Sequence, residues 1–184
     1  MTHRIILFRG MNTGGVRAPV AEQRAMAEEM GLKNPRTLQA SGNLVVESGK
    51  ATAALEHDIE TAMDKTFGLK VAAMVRTPDQ WAKLIAANPF PKQAGAAPAR
   101  VLVWAMREPL PDAGLEQLQR RASADEKVVR TADGDIYMWF GGDIDASKLP
   151  AGFGLKSLGA VGTNRNWNTM KKITAVLDEM EAAR

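Results

Sequence analysis

The chain contains no cysteine among its 184 residues and only two histidines, His3 and His57. The first absence excludes disulfides, thiolate zinc sites and cysteine nucleophiles together. Secreted domains of this size often carry disulfides, so their absence points to a reducing cytosol. Two distant histidines without cysteine give no metal-ligand spacing. No cofactor motif is complete, so no cofactor is expected. Long apolar runs are missing too. The opening MTHRIILFRG holds four consecutive apolar residues before Arg9, too few for a signal peptide. No segment approaches the roughly 20 residues of a membrane span. The expectation is a cytoplasmic protein with no membrane partner.

Acidic residues are absent from three segments. Residues 1–21 carry Arg4, Arg9 and Arg17, and residues 32–46 carry Lys33 and Arg36. Residues 146–177 carry Lys148, Lys156, Arg165, Lys171 and Lys172. The formal net charge is only +3, so these segments would form a basic face on an otherwise acidic body if they met. A solvated face without a partner is the plain alternative.

What is present is a globular composition, 45% hydrophobic, with clear periodicities. RIILFR (4–9) reads as a buried strand. Pro19 suits the first turn of a helix that Gly31 closes. RTLQA (36–40) and NLVVE (43–47) read as strands joined through Ser41-Gly42-Asn43. Leu55, Ile59, Ala62, Met63 and Thr66 recur at helical spacing up to Phe67-Gly68, and VAAMV (71–75) follows as a strand. This order, β-α-β-β-α-β, is that of a ferredoxin-like unit. Thr77-Pro78-Asp79 then starts an extra helix.

The expected division is an N-terminal half, 1–91, a small-residue linker, 92–99, and a C-terminal half, 100–184. In the second half, 100–106 reads as a strand and Pro111-Asp112 starts a helix. Residues 127–130 and 135–139 read as a hairpin and 145–160 as partly helical. A last helix buries Met170, Ile173, Leu177 and Met180. The second half is thus β-α-β-β-α-α, a degraded echo of the first without a residue-level repeat. The predicted fold class is α+β, two ferredoxin-like βαββαβ-type halves with antiparallel sheets.

Familiar chemistry fails residue by residue. Gly10 to Gly15 has the G-x-x-x-x-G spacing of a phosphate loop, but Val16 and Arg17 stand where lysine and a hydroxyl are needed. The loop reads either as an anion nest with Arg9 or Arg17 supplying charge, or as a crossover whose glycines permit positive φ. Ser41 lies in a turn, outside any nucleophile elbow. His57 falls on the polar side of its helix. Asp133, Asp135, Asp143 and Asp145 read as turn formers and caps.

GTNRNWNTMKKI (162–173) has a better case, because Arg165 and Asn166 precede or open a helix whose N-terminus attracts anions. Trp167 reads as a stacking surface or, more simply, as a core anchor.

Four stretches, ILFRGMNTGG, LQASGNLVVES, VRTPDQWAKLIAANPF and TNRNWNTMKKI, resemble the bacterial family called domain of unknown function 1697. The sequence departs from its pattern at Met11 and Thr13, where isoleucine and valine are usual. It departs again at Val46-Glu47, where an aromatic often follows the turn. Asn164 replaces a threonine and Asn168 an arginine. The resemblance implies an α+β fold with ferredoxin-like halves and supplies no reaction.

The leading expectation is a basic pocket between the halves for an anionic small molecule or nucleic acid. Arg9, Asn12, Gly14 and Gly15 would form one wall, with polar contacts from Ser41 and Asn43. Arg165, Asn166 and Trp167 would provide the clamp and stacking surface. The alternatives are a metal-independent enzyme acting on a phosphorylated or carboxylate substrate, and motifs that are purely structural.

Overall fold

The computed structural model describes residues 2–11, 17–38, 42–150 and 155–184. Its elements are β1 (Thr2–Arg9), α1 (Val20–Glu29), β2 (Lys33–Leu38), β3 (Asn43–Ser48), α2 (Thr52–Phe67), β4 (Ala72–Arg76), α3 (Pro78–Ala86) and α4 (Pro91–Ala96). They continue with β5 (Val101–Met106), α5 (Asp112–Arg121), β6 (Glu126–Arg130), β7 (Ile136–Phe140), β8 (Gly162–Asn166) and α6 (Trp167–Ala182). Two compact units divide the chain: unit 1 is Met1–Ala82 with Lys172–Arg184, and unit 2 is Lys83–Lys171.

Unit 1 has the antiparallel sheet β2-β3-β1-β4. Every residue of β1 from His3 to Phe8 is buried, as expected for a strand covered on both faces. Ile6 and Phe8 join Leu44, Val46, Ala73 and Val75 in a core closed by Met26 of α1 and by Leu55, Ile59 and Met63 of α2. Those three α2 residues are spaced four apart, so one stripe meets the sheet. Truncating Ile59 to alanine there would cost about 2–5 kcal/mol. Gly68 ends α2 in the left-handed region at φ 66 and donates its amide to Asp64 O at 2.8 Å, a glycine C-cap. Thr77 and Gln80 cap α3 reciprocally, with Thr77 N donating to Gln80 Oε1 at 2.9 Å and Gln80 N to Thr77 Oγ1 at 3.2 Å.

β4 lies at the edge of this sheet, and its outward amides are occupied. Glu56 and Glu60, one turn apart on α2, accept from Val75 N at 2.9 Å and Ala73 N at 2.8 Å. Side chains thus supply part of the ladder that a neighbouring strand would otherwise form.

Unit 2 repeats the strand order as β6-β7-β5-β8, again antiparallel. Leu102, Trp104, Met106, Ile136, Met138 and Phe140 pack with Leu118 of α5. The expected β-α-β-β-α-α order is corrected here. Residues 162–166 form a fourth strand, paired in register with Leu102–Met106. The described part of 145–160 holds only 3-10 turns, at Ile144–Ala146 and Lys156–Leu158. The cause is β5, which is buried along its whole length and needs ladder partners on both sides. That demand overrides the poor strand propensity of Thr-Asn-Arg-Asn. Unit 2 therefore has all four strands of the ferredoxin-like pattern, and its described residues hold no α-helix between β7 and β8 to match α2. The α+β class in two halves is as expected. Among the described residues no helix is long and apolar enough to cross a membrane.

Candidate functional site

The junction of β8 with α6 holds three of the sequence-derived candidates. Arg165 stands opposite Val103 in the ladder, and its Nη1 donates to Thr163 Oγ1 at 2.9 Å and to Asn164 O at 2.7 Å. The side chain is held back along its own strand by these two bonds. Burial pushes the guanidinium down to about 10, because removing water penalises the charged form. It still carries its charge at neutral pH.

Asn166 is the N-cap of α6. Its Oδ1 accepts from Thr169 N at 3.0 Å, the geometry by which asparagine satisfies an otherwise orphaned helix amide. The first turn of α6 contains no acid, so its positive end is not neutralised locally. Trp167 is half-buried, with its ring 6.3 Å from that of Tyr137 and tilted by 49°, within the range of aromatic contact. Tyr137 is itself tied down by its hydroxyl, which donates to Leu84 O at 2.6 Å, and burial raises its pKa. Trp167 thus has a packing partner within unit 2.

The other candidates belong to unit 1. Arg9 ends β1 opposite Ala72 and is half-buried. Asn43 is 2% exposed and stands opposite both Leu7 and Leu38. Its Nδ2 donates to Leu38 O at 3.2 Å, fastening β2 to the start of β3. Asn12, Gly14, Gly15 and Ser41 lie outside the described residues. Gly42 shows why a glycine is needed between these stretches: it sits at φ +80, and an added Cβ would fall 2.8 Å from Met11 Cγ and 3.1 Å from Phe8 Cβ. Met11 and Gly42 are therefore neighbours at one end of the sheet, with Phe8 N donating to Gly42 O at 2.9 Å.

These stretches carry the comparison with known proteins. The model of a family described as "Protein of unknown function (DUF1697)" matches residues 1–137. The chain belongs to this family. Three of the four resembling stretches fall within the matched part of this DUF1697 protein, whereas TNRNW lies beyond it. The solved structure titled as that of the conserved bacterial protein SP0830 from Streptococcus pneumoniae superposes with TM-score 0.75 at 22% identity, covering 97% of this chain and 99% of that one. At that identity the likeness establishes the fold. No curated protein matches the chain significantly.

One correspondence escapes sequence reading altogether. β4 leads into α3 through Arg76-Thr77, as β8 leads into α6 through Arg165-Asn166. In each corner the arginine precedes the capping residue and donates through Nη1 to the carbonyl before it, Val75 O at 3.1 Å and Asn164 O at 2.7 Å. Four residues after the cap stands a buried anchor, Trp81 at 1% exposure and Met170 at 0%. The two corners are alike in geometry while sharing only the arginine as an identical residue, which is too little to register as a sequence repeat.

Proposed function

We propose that this protein is a cytoplasmic binding protein for a small anionic ligand, with Arg165 as the group that holds the anion. The observation that carries the reading is a half-buried guanidinium at the entrance to a helix without acid in its first turn, with burial lowering its pKa to about 10. A cation in a poorly solvated place binds an anion more strongly than one in water. A helix N-terminus adds amide dipoles of the same sign. Asn166 keeps the helix start in place, and Trp167 offers the half-buried ring beside it. Arg9, at the end of β1, is the separate candidate in unit 1.

Titration with inorganic phosphate and a nucleotide panel, at low and high salt, tests this. Arg165→Gln should weaken binding by about tenfold or more, consistent with loss of a charge-assisted hydrogen bond. Unchanged affinity in a folded Arg165→Gln variant overturns the reading. A steep salt slope with single-stranded oligonucleotides would instead indicate a nucleic-acid ligand.

A second reading rests on the contacts that the candidates of each unit already make. Asn166, Trp167, Asn43 and Gly42 each have a structural task, so the motif would serve the fold alone. Substitutions would then lower the melting temperature, and no anion in the panel would bind.

A further inference from the structure

His3 is completely buried at 0% exposure on β1, and neither ring nitrogen has a hydrogen-bond partner among the described residues. Each nitrogen instead faces a carboxylate from a different element. Nε2 is 3.9 Å from Glu47 Oε1 on β3, its cross-strand neighbour, and Nδ1 is 3.7 Å from Glu181 Oε1 on α6. All three residues belong to unit 1. We propose that His3, Glu47 and Glu181 form a proton-dependent latch that fixes the last turn of α6 to the sheet of unit 1.

The chemistry of the three groups carries this. An ionised carboxylate can only accept hydrogen bonds, and a neutral imidazole has one donor and one acceptor nitrogen. Two carboxylates on opposite sides of the ring therefore match the imidazolium, which donates from both nitrogens. With a neutral ring, one nitrogen lone pair faces a carboxylate oxygen and is left unsatisfied in a buried place, which costs free energy.

The two carboxylates are not equally free to respond. Glu47 is anchored, since its Oε1 accepts from Asn34 Nδ2 at 2.6 Å, and its side chain is 20% exposed. Glu181 is 45% exposed and is the one able to swing into water. Loss of the proton therefore releases α6 and leaves β3 in place.

The other charged residues that the strand register places beside these groups are cations. Lys33 of β2 stands opposite Glu47 in register, and Arg76 of β4 stands opposite Ile5. Arg4, the ring's chain neighbour, donates to His3 O at 2.9 Å. Arg184, after α6, lines the cavity of about 630 Å³ that Glu47 also lines.

The charged ring is the bound form, so the latch is held at low pH and lost as pH rises. Imidazoles change charge between about pH 5 and 8. The experiment is amide hydrogen exchange along α6, corrected for intrinsic exchange, together with ¹⁵N shifts of the two histidine rings. His57, exposed on α2, is the internal reference. Protection of residues 178–183 should fall about tenfold or more from about pH 5.5 to about pH 8.5, since local opening follows the lost contact. Glu181→Gln, at a half-exposed site that tolerates it, should reduce that pH dependence to about twofold or less. His3→Gln should abolish it if the variant folds. Protection independent of pH in the unmodified chain, or an equal fall in Glu181→Gln, overturns the proposal. So does a His3 ring that bears a single proton at the low end of the range.

Discussion

The carboxylate of Glu60 accepts the backbone amide of Ala73 at 2.8 Å, so a helix side chain occupies a hydrogen-bonding position on the edge of a sheet. Glu56 does the same for Val75 one turn earlier. Removing both should expose an edge strand whose amides then have only water or another chain as partner. Glu56→Ala/Glu60→Ala is expected to lose about 1.5–3 kcal/mol per bond and to associate at high concentration. Thermal melts and sedimentation check the two effects, and a monomer of unchanged stability would contradict the account.

Gly42 carries two separate constraints, a left-handed φ of +80 and close contact with Met11. Gly42→Ala should destabilise by about 1–3 kcal/mol through strain and overlap. Adding Met11→Ala should recover the overlap but not the backbone cost. A chemical-denaturation cycle separates them, and complete recovery in the double variant would show that φ contributes nothing.

Asn166 distinguishes the structural and ligand readings of the β8–α6 corner. Asn166→Ala should cost about 0.5–2 kcal/mol as a lost cap, while Asn166→Asp should keep the cap. The aspartate would also place a negative charge beside Arg165. In the anion-site reading it weakens phosphate binding without lowering the melting temperature. Equal stability and equal binding in both variants would contradict both readings.

Lys50 Nζ donates to Asp58 Oδ2 at 2.5 Å, and this bond holds the Asp58 carboxyl below its ordinary 3.8. A carboxylate depressed in the folded state adds stability above its unfolded pKa and loses it as pH falls through the folded value. Asp58→Asn should therefore flatten the stability curve on the acid side of about pH 4. Because the pair is solvent-exposed, the difference should shrink in high salt. Melting temperatures across pH at two ionic strengths check this.

Much of unit 1 is legible in its sequence because each element has its own period. Leu55, Ile59 and Met63 mark α2, Gly68 ends it, and the apolar run before Arg9 marks β1. β8 was not legible. Gly162–Asn166 has no alternation of apolar residues, and its strand state comes from ladder bonds to β5. At the candidate site, charge and proximity to a helix start mark Arg165 and Asn166 in the sequence. The sequence did not reveal that Asn166 spends its side chain on Thr169, or that Trp167 meets Tyr137 thirty residues away in the chain.

The sequence by itself determined the α+β class, the helix faces and the places where chain direction must change. Those follow from local periodicity and from the backbone limits of glycine and proline. Only the tertiary structure decided that a polar pentapeptide is a strand, that Glu56 and Glu60 cover an edge, and that His3 lies between two carboxylates. Each of these depends on groups far apart in the chain being desolvated together, and no local pattern encodes which distant partner will satisfy a buried polar group.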